Sequence, residues 1–246
     1  MMISFQSGLS ISELLISLCL SMLIIVAVSS QYLQAKQRYL HIRDRIERSY
    51  ELQLVSGLLH DRIKRAGFTP CMPITQLTAI NGYNDRAYLP ALELNNKSSL
   101  QVNRMSEYFS SSHILSSKQL LATEPVLLRP NLKILIADCQ YAEVHIIDKV
   151  SNSPVGQLIQ LKHAIRASFT PPVYVGEWLQ ERFYIKHHPG MPSSLYYHHN
   201  HSEELSRYVV NFTGKIIPDT HSDLVQLDLQ LNNGELFTIE TGIRAR

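Results

Sequence analysis

Apolar side chains fill the chain from Ile11 to Val28 almost without relief; serines dilute the run and one acid, Glu13, interrupts it. Eighteen such residues lie near the lower limit for crossing a bilayer as a helix, and Leu9 extends them. After Val28 the pattern changes from continuous to periodic. Ile42, Ile46, Tyr50, Leu54 and Leu58 recur every four residues, Val55, Leu59 and Ile63 make a companion row, and charges occupy the complementary positions. That is the period of an amphipathic helix, with the charged face read as solvated surface. No proline occurs before Pro70, and between Gly8 and Gly57 there is no glycine. The two patterns therefore predict one unbroken helix. It should stop at Gly67, because Gly67-Phe68-Thr69-Pro70 reads as a C-cap glycine followed by a helix-stopping proline. From Leu9 to Ala66 it would run roughly 85 Å at 1.5 Å per residue.

The rest of the chain reads as β structure. From residue 68 to about 135, turn formers (Pro70, Pro73, Asn81-Gly82, Asn95-Asn96, Ser110-Ser111-Ser112, Pro125) predict a long irregular segment with short strands such as "LQVNRM" and "LLATEPVLL". Stronger strands follow in "KILIADCQ", "AEVHIIDKV", "ERFYIKHH", "SSLYYHH", "ELSRYVVNFTGK", "DLVQLDLQLNN" and "LFTIETGI". Val225, Leu227, Leu229 and Leu231 alternate with Gln226, Asp228, Gln230 and Asn232, so that strand has one buried and one wet face. Asn232-Asn233-Gly234 then reads as a hairpin turn. There is no repeat, no low-complexity tail and no linker. The expected class is α+β: a long N-terminal helix, half transmembrane and half amphipathic, packed on an antiparallel sheet.

Composition narrows the chemistry. At 246 residues, with 45% hydrophobic and 18% charged residues, the chain can bury a sizeable core. A formal charge of +2 does not argue for nucleic acid. Cys19 lies in the apolar run, which leaves Cys71 and Cys139 for a water-exposed part. They permit one disulfide, implying an oxidising compartment, or else two buried thiols.

The apolar run admits four readings. A secretory signal peptide lacks its basic start, and the run is long for one with no evident A-x-A site. A lipoprotein signal ending at Cys19 fails because Leu18 is not small. A plain anchor leaves Glu13 unexplained, since a carboxylate well inside such a helix costs roughly 2.5 kcal/mol or more. The fourth reading explains it. Gly8 followed by Leu9-Ser10-Ile11-Ser12-Glu13-Leu14-Leu15-Ile16 resembles the prepilin motif of type IV pilins and type II secretion pseudopilins. The resemblance implies cleavage between Gly8 and Leu9 by a prepilin peptidase, N-methylation of Leu9, and Glu13 as the fifth mature residue. The resemblance further implies that this glutamate pairs with the N-terminal ammonium of a neighbouring subunit during assembly. A charge that is costly alone becomes tolerable once its partner arrives. Lys36, Arg38, Arg43, Arg45 and Arg48 follow the span, so loop charge alone would orient it the other way, and the motif is given precedence.

Further residues narrow the resemblance. "HDRIKRAGFTPC", "ADCQYAEV", "RFYIKHHPGMPSSLYYHH", "EELSRYVVNFTGKI" and "LNNGELFTIETGIRAR" resemble, in this order, elements of PilW-like minor pilins and of pseudopilin J. Ser30 stands where major pilins carry a helix-bending proline. The organisation so implied is a leader at 1–8, a transmembrane or filament-core half-helix at 9–30, an amphipathic half at 31–67, and a periplasmic β-rich head at 68–246. A Cys71–Cys139 disulfide is also implied; it would close a loop of about 70 residues and add about 4 kcal/mol by chain entropy. The implied function is a minor pilin that helps start type IV pilus assembly, with a pseudopilin of type II secretion as the alternative and an anchored periplasmic ligand- or metal-binding protein more distant. Its implied partners are the inner membrane, the prepilin peptidase, the inner-membrane assembly platform, other minor pilins, the major pilin and a tip adhesin, with no nucleic acid. The localisation so implied is the bacterial inner membrane, single-pass with the head in the periplasm, and then the pilus at the cell surface.

Enzyme motifs are not apparent, since no H-E-x-x-H, G-x-S-x-G or Walker-type loop occurs. Catalytic residues and cofactors are therefore not expected. His187, His188, His198, His199 and His201 flank Pro-Gly-Met-Pro, where facing hairpin arms could chelate zinc. With neither cysteine nor a placed carboxylate to complete a set, they read as polar strand surface. Tyr184, Tyr196, Tyr197 and Tyr208 read as cross-strand packing rather than base-stacking platforms.

Overall fold

The computed structural model describes residues 11–83, 88–95, 98–188, 190–218 and 223–243. Among the described residues one long helix, α1 (Ile11–Lys64), and a one-turn 3-10 helix (Ile74–Gln76) precede thirteen strands. The chain divides within α1 into two compact units, one ending at Glu51 and the other beginning at Leu52.

In the first unit α1 needs no tertiary support to explain its continuity, because nothing in its sequence breaks it. Its serines do not compete with the helix: Ser17, Ser21 and Ser30 each donate a hydroxyl hydrogen bond to the carbonyl three residues earlier, at 2.8–2.9 Å. The helix runs straight through Ser29 and Ser30 in its hydrogen bonding. Asp44 and Arg48 form an i,i+4 pair at 3.5 Å, worth a few tenths of a kcal/mol.

In the first unit Ile42, Ile46 and Tyr50 are exposed. In the second unit Val55, Leu59 and Ile63 of α1 sit in the core, Leu58 is half-buried against it, and Leu54 is exposed. After Lys64 the turn tightens, and Gly67 takes a positive φ of 69° and donates its N–H to Asn103. A Cβ there would lie 2.8 Å from the Cβ of Ala91. Gly67→Ala should therefore cost about 2 kcal/mol or more, from left-handed strain plus overpacking. Thermal unfolding of the detergent-solubilised chain measures it, and an unchanged midpoint would refute the close-packed corner.

The strands are β1 (Thr78–Asn81), β2 (Leu92–Asn95), β3 (Ser99–Ser116), β4 (Gln119–Ala122), β5 (Lys133–Ala137), β6 (Tyr141–Ser153) and β7 (Gly156–Leu161). Then come β8 (Val173–His188), β9 (Met191–His198), β10 (Ser202–Ser206), β11 (Val209–Ile217), β12 (Leu224–Leu231) and β13 (Leu236–Gly242). The larger sheet has the order β10-β9-β8-β5-β6-β7-β4-β3-β2, and β3 also pairs β8. That extra pairing closes β3, β8, β5, β6, β7 and β4 into a ring. β1 runs parallel to β6, while every other pairing is antiparallel. The last three strands make a second sheet, β11-β12-β13.

Two cores result. One gathers Val55, Leu59 and Ile63 of α1 with residues such as Phe183, Phe212 and Leu227. The other lies within the ring, around Leu120, Ile134, Ile136, Ile147, Ile159 and Val175. The fold is α+β, as the sequence predicts. The expected irregular stretch from 68 to 135 is a departure: it holds the eighteen-residue strand β3. Turn-forming Ser110 and Ser112 lie inside that strand, fully buried, because the ring's pairings satisfy its backbone and Ser110 Oγ accepts the N–H of Glu124 at 2.9 Å.

Candidate functional site

Gly8 and Leu9, the expected cleavage pair, lie outside the described residues. Glu13, the expected assembly residue, sits in the first turn of α1 and is exposed. An acid there complements the positive end of the helix dipole. Around it the apolar side chains have nowhere to hide: Leu14, Leu15, Ile16, Leu18, Leu23 and Ile25 are 53–64% exposed. An apolar surface of this extent marks a membrane or protein interface. The helix is long and apolar enough to cross a membrane. Cys19, also on this surface, is outside any disulfide.

At its other end the helix is tied down by charge as well as by packing. The Glu181 side chain on β8 is only 3% exposed. It accepts a hydrogen bond from Arg104 Nε of β3 at 3.1 Å and one from the Tyr197 hydroxyl of β9 at 2.7 Å, and Arg62 Nε of α1 lies 3.3 Å away. Outward from this centre Arg65 bridges Asp61 at 2.7 Å and Glu107. Burial pushes the Tyr197 phenol above its ordinary pKa, and its hydrogen bond to Glu181 pushes it further. Two guanidiniums and a phenol around one buried carboxylate make a fixed joint between helix end and sheet.

Cys71 and Cys139 form a disulfide, Cα atoms 5.3 Å apart and 68 residues distant in sequence. It joins the turn after α1 to the turn between β5 and β6. The adjacent Asp138 is fully buried and accepts N–H groups from Gln140, Tyr141 and Thr170 at 2.6–2.7 Å.

The side chain of His188 lies outside the described ones, and the other hairpin histidines do not share one centre. His187 meets Ser193, His198 meets Ser202, and His201 meets Glu203. Among the described residues no three His, Cys, Asp or Glu side chains come together as a metal set. The tyrosines pack as cross-strand partners. Tyr184 and Tyr196 stack at 5.8 Å, with Arg182 over one ring and Lys186 over the other. Tyr197 packs on Phe183 at 5.1 Å, and Tyr208 is buried.

Sequence reasoning missed the buried polar positions, although a signal existed. Glu181 occupies an inward place between Leu179 and Phe183, and Glu143 and His145 lie in register with Ile147. A charge on the apolar period of a strand marks a group that needs a partner.

Comparison with protein-family models, with curated proteins and with solved structures finds no match.

Proposed function

We propose that this chain is a minor pilin that helps start assembly of a type IV pilus at or near its tip. The carrying observation is the run Gly8-Leu9…Glu13 at the head of a helix that continues unbroken to Lys64. In this reading prepilin peptidase cuts after Gly8, and the new amine at Leu9 is methylated. The protein then waits in the inner membrane with residues 68–246 in the periplasm. Glu13 meets the amine of an adjacent subunit, so a charge disfavoured in lipid becomes favourable only in the assembled filament. The burial of Val55, Leu59 and Ile63 and the Glu181 joint support this reading, because they fasten the helix end to the β structure that it would carry. The disulfide suits an oxidising periplasm.

Glu13→Ala should leave membrane insertion intact and lower the number of pili about tenfold or more, a loss of about 1.4 kcal/mol or more per assembly event. Electron microscopy of the mutant strain counts the pili, and mass spectrometry of the wild-type protein reads its N-terminus. A methylated Leu9 and sparse pili are expected. A mature chain that retains residues 1–8, or normal piliation by Glu13→Ala, overturns the reading.

A further inference from the structure

Between Leu161, which ends β7, and Val173, which begins β8, residues 162–172 cross one end of the six-stranded ring. Their place is fixed by contacts to several strands in turn. Lys162 N–H donates to Ile146 O, and Ile165 N–H to Ser117 O in the turn between β3 and β4. Ile165 and Phe169 then pack against the ring core.

Two buried acids hold the middle and far end. Glu143 Oε2 accepts the N–H groups of Arg166 at 3.0 Å and Ala167 at 3.2 Å. Asp138 Oδ2 accepts the N–H of Thr170 at 2.7 Å and its hydroxyl at 3.3 Å. Both acids are fully buried. At Asp138 both oxygens accept N–H groups, so protonation turns one of them into a donor facing an N–H that needs an acceptor; at Glu143 a single oxygen, Oε2, takes both strap N–H groups, and protonation removes the negative charge that strengthens those bonds. We infer that residues 162–172 are an acid-released strap, shut over one end of the ring by the carboxylates of Asp138 and Glu143.

The groups facing each acid support this. Against Glu143, His145 Nε2 on the same strand lies 3.1 Å from Oε1 without the alignment of a hydrogen bond, and His145 Nδ1 has no hydrogen-bond partner. The paired residue on β5 is Ile136, and Gly82, following β1, leaves room for the Glu143 and His145 side chains, neither residue being ionisable. The strap contributes main-chain donors here, and its Arg166 side chain is exposed. Asp138 faces the N–H groups of Gln140, Tyr141 and Thr170 and the Thr170 hydroxyl.

For both acids burial alone would raise the pKa. The partners outweigh it and hold each below the ordinary carboxylate range: His145 with the strap's N–H groups for Glu143, and the three N–H groups and the Thr170 hydroxyl for Asp138. A depressed folded-state pKa contributes stability that is present above the unfolded value, about 4, and lost as pH falls through the folded one. The strap is therefore shut near neutrality and opens in acid. Its opening uncovers Ile165, Phe169 and the end of the ring.

Hydrogen–deuterium exchange of the full chain in detergent, read by mass spectrometry from about pH 7 down to about pH 3, tests this. After correction for intrinsic exchange, protection of peptides covering 165–170 should fall about tenfold or more while peptides of β5 and β8 hold theirs. In the double variant Asp138→Asn, Glu143→Gln, the strap should exchange fast already at neutral pH and show no further pH dependence. Strap protection that stays level with pH in the wild-type chain overturns the proposal. So does simultaneous loss in the strap and the ring strands, which is acid unfolding of the whole; the wild-type series decides this even if the variant does not fold.

Discussion

Glu181→Ala should destabilise the β-rich unit by about 3–5 kcal/mol, the usual cost of removing one partner from a buried ion pair. The substitution leaves the Arg104 side chain, 6% exposed, with only the more distant Glu107 at 3.8 Å, removes the buried ion-pair partner of Arg62, and strips the Tyr197 hydroxyl of its acceptor. For a domain of this size that corresponds to a fall of roughly 10 °C in the unfolding midpoint. Glu181→Leu combined with Arg104→Met should cost much less than either change alone, because the buried guanidinium leaves with the carboxylate, and Arg62, a quarter exposed, keeps Asp61 at 3.8 Å. Thermal unfolding of the four proteins in one detergent closes the cycle. A single-mutant loss under about 1 kcal/mol would mean that water reaches the site and that the joint is ornamental. Tyr197→Phe provides a smaller internal check, about 1.5–3 kcal/mol for one hydrogen bond to a charged acceptor.

The second large effect concerns the disulfide. Cys71→Ser with Cys139→Ser should lower stability by about 4 kcal/mol, because a bridge spanning 68 residues removes much of the freedom of the unfolded chain. The enclosed segment holds β1 to β5, so the cross-link restrains two of the three partners of β6, β1 and β5, before either pairs with it. Denaturant titration of the oxidised, reduced and serine forms separates cross-link from side chain. Reduced wild type and the double serine variant should coincide, with both well below the oxidised protein. Equal midpoints for all three would show that the turn after α1 is held by packing alone.

How much of this was legible beforehand depended on whether apolar side chains carried the pattern. The helix was readable because nothing from Ile11 to Lys64 contradicts it, and Gly67 marks its end with the positive φ that its lack of a Cβ permits. β12 was readable because Val225, Leu227, Leu229 and Leu231 alternate with polar residues, and Gly234 turns the chain with a φ of 85°. Where polar residues are buried the reading failed. β3 buries Asn103, Arg104, Ser106, Ser110 and Ser112, so its sequence mimics a loop. "ELSRYVVNFTGK" reads as one strand but divides at Arg207-Tyr208, its halves joining different sheets. The Ser206 hydroxyl makes that corner by accepting the N–H groups of Tyr208 and Val209. Of the expected site residues, Cys71 and Cys139 meet in the structure, Glu13 lies on an exposed helix turn, and the joint at Glu181 went unread. Amphipathic periodicity also overstated the buried part of α1, since a row of period four says which side chains share a face but not what covers it.

The ring has a kinetic corollary. Its closing seam joins Ser99 to Tyr184 and Ser112 to Val173, partners that a ribosome delivers far apart in time. Until β8 is synthesised, β3 and β5 each lack a neighbour and their edges stand open. Topologies ruled by such distant pairings assemble slowly, and their unfinished forms attract foreign strands. A chaperone's services would be wanted most while the chain ends between Ala137 and Val173.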